Sequence, residues 1–142
     1  MNINWWEIEQ RRPPTAQDIT KAVKAVAKIP DDGDAGKVLC PFPFYPQSLP
    51  VISGKDWAKS KLTQIKIKKL NGSTARVSRS NLVWHVQNPG KSKFRGQWNT
   101  HIQVLQTKGG DKVIIDGHHR ASALRMLGVK KDSVWLLKEG DL

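Results

Sequence analysis

The stretch VIIDGHHRASALRMLG, residues 113–128, decides the fold. Residues 113–115 are β-branched and apolar, which suits a buried strand. Ala121, Leu124 and Leu127 then recur at helical spacing, and Gly128 follows as a helix stop. Between strand and helix stand Asp116, Gly117, His118, His119 and Arg120, which are poor core material. A strand that turns at once into a helix leaves the first helical amides unpaired and pointing outward. With the helix dipole behind them, those amides attract anions. Asp116 is expected to cap the helix, and Gly117 lets the backbone pass closely. His118, His119 and Arg120 ring the turn with donors, the arginine able to grip a phosphate through two hydrogen bonds. Helical spacing sets His118, Ser122 and Arg125 on one face. The expected phosphate contacts are therefore Gly117, His118, His119, Arg120 and Ser122.

The flanks supply the partners of this unit. HIQVLQT (101–107) reads as a strand, KGGD (108–111) as a hairpin turn and KVIID (112–116) as the returning strand. SVWLL (133–137) is a closing strand, and TQIKIKKL (63–70) alternates Ile65 and Ile67 inward with lysines outward. NGST (71–74) then turns the chain. Upstream, Thr15 and Asp18 frame a capped helix whose stripe is Ile19, Ala22, Val23 and Val26, ended by Pro30. VLCPFPFYPQSLP (38–50) is expected to run extended over the core, and 78–88 to form a short helix before Pro89. GKSKFRGQWNT (90–100) suits a basic loop. Residues 1–14, with Trp5 and Trp6, form an arm, and 15–142 one domain.

Charge is the first functional clue. The 142 residues carry a net +12, which favours polyanionic partners. Between residues 55 and 108 the only acid is Asp56, against a long series of lysines and arginines. Lys66, Lys68, Lys69, Arg76, Arg79, Lys91, Lys93 and Arg95 are the expected nucleic-acid contacts. A merely solvated basic face is the alternative. Trp84, Phe94 and Trp98 lie in or near this strip and would stack on bases, or else belong to the core. No apolar run reaches the ~20 residues of a membrane span, and the start lacks a signal peptide's apolar stretch. A lone cysteine, Cys40, excludes an internal disulfide, so a cytoplasmic protein is expected.

The run VIIDGHHRASALRMLG resembles the signature of the ParB/sulfiredoxin superfamily, in particular its ParB-like nuclease branch. HIQVLQTKGGDKV before it and VKKDSVWLL after it are similar to that family's strand pair and closing strand. With IKIKKL the likeness spans residues 63–138 and is firmest over 101–128. It implies an α+β fold, a small mixed sheet packed with helices. It also implies that the turn holds nucleotide triphosphates, ATP or CTP, or nucleic-acid phosphates, with Mg²⁺ or Mn²⁺. The chain departs from the family's other branches. Sulfiredoxins bear a catalytic cysteine where His118 stands, and the chromosome-partition proteins have a glutamate and paired arginines in this stretch.

Two functions from different classes follow. One is a metal-dependent nuclease or nucleotide hydrolase, with Asp116 orienting the turn or the metal. There His118 and His119 would move protons, with His85 and His101 as further candidates, and Arg120 would stabilise charge. The other is a non-catalytic module that docks phosphate while the basic strip tracks DNA or RNA. A small inhibitor acting on a protein partner is the third reading. The histidine pair is a poor metal chelate, because adjacent helical residues diverge by about 100°. Asp-Gly before a helix is also a common cap, and a purely structural turn is the plain alternative.

Overall fold

Thr15 opens the first helix. Its Oγ1 accepts from the Asp18 N–H at 3.2 Å, and Asp18 Oδ2 accepts from the Thr15 N–H at 2.9 Å, a reciprocal capping box. The computed structural model describes residues 14–31, 36–89 and 102–142. The arm with Trp5 and Trp6, most of the acidic loop, and the segment bearing Lys91, Lys93, Phe94, Arg95, Trp98 and His101 lie outside them. Helix α1 (Ala16–Lys28) buries Ala22 and Val26 and ends before Pro30, as its apolar stripe predicts. Thr15→Ala should cost about 1 kcal/mol in a urea melt, because it strands the Asp18 amide.

Strand β1 (Lys37–Leu39) pairs with β4 (Arg76–Ser78) as a two-stranded antiparallel ribbon. The remaining strands form one mixed sheet. These are β2 (Lys61–Lys66), β3 (Leu70–Gly72), β5 (Ile102–Gln106), β6 (Lys112–Asp116) and β7 (Lys131–Lys138), in the order β2-β7-β5-β6-β3. β5 runs antiparallel to β6 and parallel to β7, and β3 is parallel to β6. The chain is thus a mixed α+β fold. The hairpin at 107–111 forms as its glycines suggest, with Gly110 at φ 93°.

Two expectations shift in detail. TQIKIKKL is not one strand: β2 stops at Lys66, a 3₁₀ turn takes Ile67–Lys69, and β3 begins at Leu70 on the far edge of the sheet. The turn carries the chain from one edge to the other while keeping Ile65, Ile67 and Leu70 in one core. Asn71 and Gly72 belong to β3, and the bend comes at 73–75.

Helix α3 (Arg79–Gln87) follows β4, after the short α2 (Gly54–Trp57), and α4 (His118–Met126) follows β6. α4 lies on one face of the sheet, where Ala121 and Leu124 meet Ile102, Val104, Ile114 and Val134. Ala123 and Leu127 join it to α1 and α3 through Val26, Leu82 and Val86. Trp57, Leu105 and Leu137 pack on the opposite face, with Leu49, Ile52 and Ile115. The proline-rich segment bends at Pro41 and Phe42 and then passes beside β3. Phe42 is buried, Phe44 bridges to Gly72 beside β3, and the Tyr45 N–H donates to the Gly72 carbonyl at 2.9 Å. Among the described residues, no helix is long and apolar enough to cross a membrane.

Candidate functional site

At the centre of the DGHHR turn stands Gly117, at φ 98°, the residue that caps α4. Asp116 does not cap the helix, contrary to expectation. It is exposed at the end of β6, and its Oδ1 accepts the neighbouring Gly117 N–H at 3.0 Å. The left-handed backbone at Gly117 separates the aspartate from the helical amides. Any side chain at 117 would also meet Ile102, whose Cα lies 3.3 Å from the place of a Cβ.

The two histidines face the β3–β4 connection and the end of β4. His118 Nε2 accepts from the Ser73 N–H at 3.0 Å, and His119 Nε2 from the Ser78 N–H at 2.9 Å. Ser73 Oγ donates to the Ile114 carbonyl at 2.5 Å, so its own hydrogen points away from the imidazole. In each ring the accepting nitrogen carries no proton, so the neutral tautomer bears it on Nδ1. Burial pushes the His118 pKa down from 6.5 to about 4, with the neighbouring His119 adding to the effect and Asp116 opposing it. Both imidazoles thereby staple the start of α4, one to the β3–β4 connection at Ser73 and the other to the end of β4 at Ser78.

The other residues of the turn point elsewhere. Arg120 is buried and borders a crevice of about 10 Å³ with His85 and Asn88, at the end of α3. That space is at the limit for a single water. Ser122 is fully buried, and its Oγ has no regular hydrogen-bond partner. It acts on the Cys40 thiol, whose pKa burial pushes up against smaller opposing pulls from the Phe42 backbone, Ser122 and Arg125. Cys40, distant in sequence, therefore lies near the turn: both its Sγ and His118 Cδ2 come within 4 Å of where a Cβ at Gly72 would sit. A raised pKa keeps that thiol protonated and unreactive near neutrality.

Of the basic strip, the described residues divide into three groups. Arg79 is tied inward: Nη1 and Nη2 donate to the Val26 and Ile29 carbonyls at 2.7 and 3.1 Å, and Asp31 lies 3.6 Å away. It closes the C-terminus of α1 instead of facing a ligand. Arg76 sits on the β1–β4 ribbon, and Lys69 is exposed in the 3₁₀ turn. Trp84 is half-buried and meets His85 edge to face.

Lys66 and Lys68 do reach a concave site. With Arg125, Lys130 and Lys131 they line a hollow of about 430 Å³, floored by Ile67, Gly128 and Val129. No family model, curated protein or solved structure matches this chain. The reading of the hollow therefore rests on its own chemistry. Among the described residues, five cations and no carboxylate line it. The next residue, Asp132, is buried, with Oδ1 accepting from the Ser133 N–H at 2.8 Å. The carbonyl end of α4 abuts the same wall and offsets only about half a unit of positive charge. The walls are fixed to each other, since the Ile67 N–H donates to the Lys130 carbonyl at 2.9 Å. Arg125 is further braced by its guanidinium, 5.2 Å from the Phe42 ring centre.

Sequence reasoning found Lys66 and Lys68 but missed Arg125, Lys130 and Lys131. Their signal was the register: Lys66 lies directly opposite Lys131 where β2 meets β7. Only a known strand pairing makes neighbours of such distant residues. Among the described residues, no three His, Cys, Asp or Glu side chains gather where they could share a metal ion.

Proposed function

We propose that this chain is a non-catalytic phosphate-binding module of ParB/sulfiredoxin-like architecture, and that it holds nucleic acid or nucleotides. The observation that carries this reading is the five-cation hollow at the end of α4. Its volume falls within the about 300–1,000 Å³ of ordinary ligand sites. Its apolar floor suits a sugar or base, and its rim suits phosphate oxygens. The hydrolase reading is less well supported, because both Nε2 atoms of the histidine pair already accept backbone N–H groups. A general base needs that lone pair.

The test is fluorescence anisotropy with a labelled oligonucleotide, beside turnover assays on plasmid, ATP and CTP with Mg²⁺ or Mn²⁺. Binding should weaken steeply as salt rises from about 50 to about 200 mM, without turnover. Lys66→Gln with Lys68→Gln and Lys131→Gln should lower affinity at least about tenfold and flatten the salt dependence by about two contacts or more. Turnover that disappears in His118→Ala and His119→Ala would instead support the hydrolase. Unchanged affinity in the triple variant would overturn the assignment of the hollow.

A further inference from the structure

β2 opens at each of its ends onto a basic hollow, and the second of these has no role so far. It holds about 360 Å³ and is lined by Lys59, Lys61, Lys112 and Lys138, with Thr63 and Gln106 among them. Four strands contribute to it: Lys61 and Thr63 come from β2, Lys138 from β7, Gln106 from β5 and Lys112 from β6. It lies at the end of the sheet opposite the Asp116 turn, where β6 begins. Among the described residues its one lining carboxylate is Asp141, whose main-chain carbonyl accepts from Lys59 Nζ at 3.2 Å.

The two hollows share a wall. Lys61, Thr63, Gln64 and Ile65 line the second, and Lys66, Ile67 and Lys68 line the first, so β2 runs from one into the other. At about 3.3 Å per residue the strand sets Lys61 of the second hollow and Lys66 of the first about 16 Å apart. β2 is also terminal in the sheet, pairing with β7 alone among the described strands.

We propose that this edge carries one single strand of nucleic acid, with phosphates seated in both hollows and β2 beneath the stretch between them. The proposal rests on the reading of the first hollow as a phosphate site. A single nucleotide fits within either hollow but does not bridge them. A duplex is too broad and stiff to enter hollows of this size, and β2 offers no helix or ribbon for a groove. A single strand bends to follow a line of cations, and its bases expose their Watson–Crick edges. Thr63, Gln64 and Gln106 supply uncharged donors and acceptors where those edges would lie.

The test compares three probes: oligo-dT of about twelve nucleotides, a duplex of the same length, and inorganic tripolyphosphate. Lys61→Gln with Lys112→Gln and Lys138→Gln should weaken oligo-dT binding about tenfold or more and lower the salt slope by about 2. The same variant should keep tripolyphosphate binding at the first hollow. Lys66→Gln with Lys68→Gln and Lys131→Gln should weaken both probes. Circular dichroism melts of each variant establish that the fold is retained. Parent-like oligo-dT affinity and salt slope in the Lys61 variant would overturn the track and leave the first hollow's assignment standing. Equal binding of duplex and single strand would overturn the track as well. Failure of the parent to bind either anion would overturn both proposals.

Discussion

Gly117→Ala will lose about 2–5 kcal/mol of stability in a denaturant melt, more than alanine costs at the other described left-handed glycines. Two effects combine. At φ 98° an alanine enters the left-handed region, at a cost of about 1–2 kcal/mol. Its methyl then meets Ile102 Cα and Cγ1 at 3.3 Å. Ile102 is fully buried in β5, between β6 and β7, so neither backbone nor side chain has room to retreat. Overpacking of that kind adds about 1–3 kcal/mol. Gly110 and Gly128 are the controls. They have φ of 93° and 77°, yet nothing lies within 4 Å of a Cβ at either. Alanine there should cost only the backbone term, about 1–2 kcal/mol. Equal losses at Gly117 and Gly110 would show that the close passage over β5 does not matter.

The second large effect is acid sensitivity through His118. Its folded pKa of about 4 lies below the ordinary 6.5, so the unfolded chain binds the proton more readily than the folded one. The stability linked to this group is complete above pH 6.5 and falls away as pH drops from there towards 4. The full shift corresponds to about 3 kcal/mol, which partial solvent contact trims to about 2–3 kcal/mol. Protonation removes the acceptor that holds the Ser73 N–H, so the clasp between α4 and the β3–β4 connection opens. His118→Gln supplies a carbonyl acceptor that does not titrate. Its melts at successive pH values should show a flatter loss over that window. An unchanged slope in the glutamine variant would assign the acid loss to another group.

The sequence states the local grammar of the 102–138 unit almost in full. Strand, glycine hairpin, strand, helix and strand all appear where Ile102, Gly110, Ile114, Leu124 and Val134 imply them. The capping box at Thr15 and Asp18 is equally legible, because its partners are three residues apart. What could not be read is the destination of long polar side chains. Arg79 looks like any other cation of the strip until α1 is seen to end beside it, with two carbonyls in reach. His118 and His119 look like free donors until the β3–β4 connection and the end of β4 each bring a backbone amide. Asp116 is a plausible cap until Gly117 adopts a conformation that turns it away. Each depends on a contact between residues far apart in the chain, for which periodicity carries no signal. The basic hollow is the same case, since it exists only once Lys66 and Lys131 face each other.

The position of β2 has a consequence for the chain while it is being made. Its sheet partner is β7, far later in the chain, so β2 emerges first and stands without that neighbour until β7 has been made. A bare, apolar strand in that state would invite copies of itself to zip alongside. The lysines at 61 and 66 make such self-association repulsive during the wait. The positive charge proposed to receive a ligand would then also protect the nascent chain from aggregation.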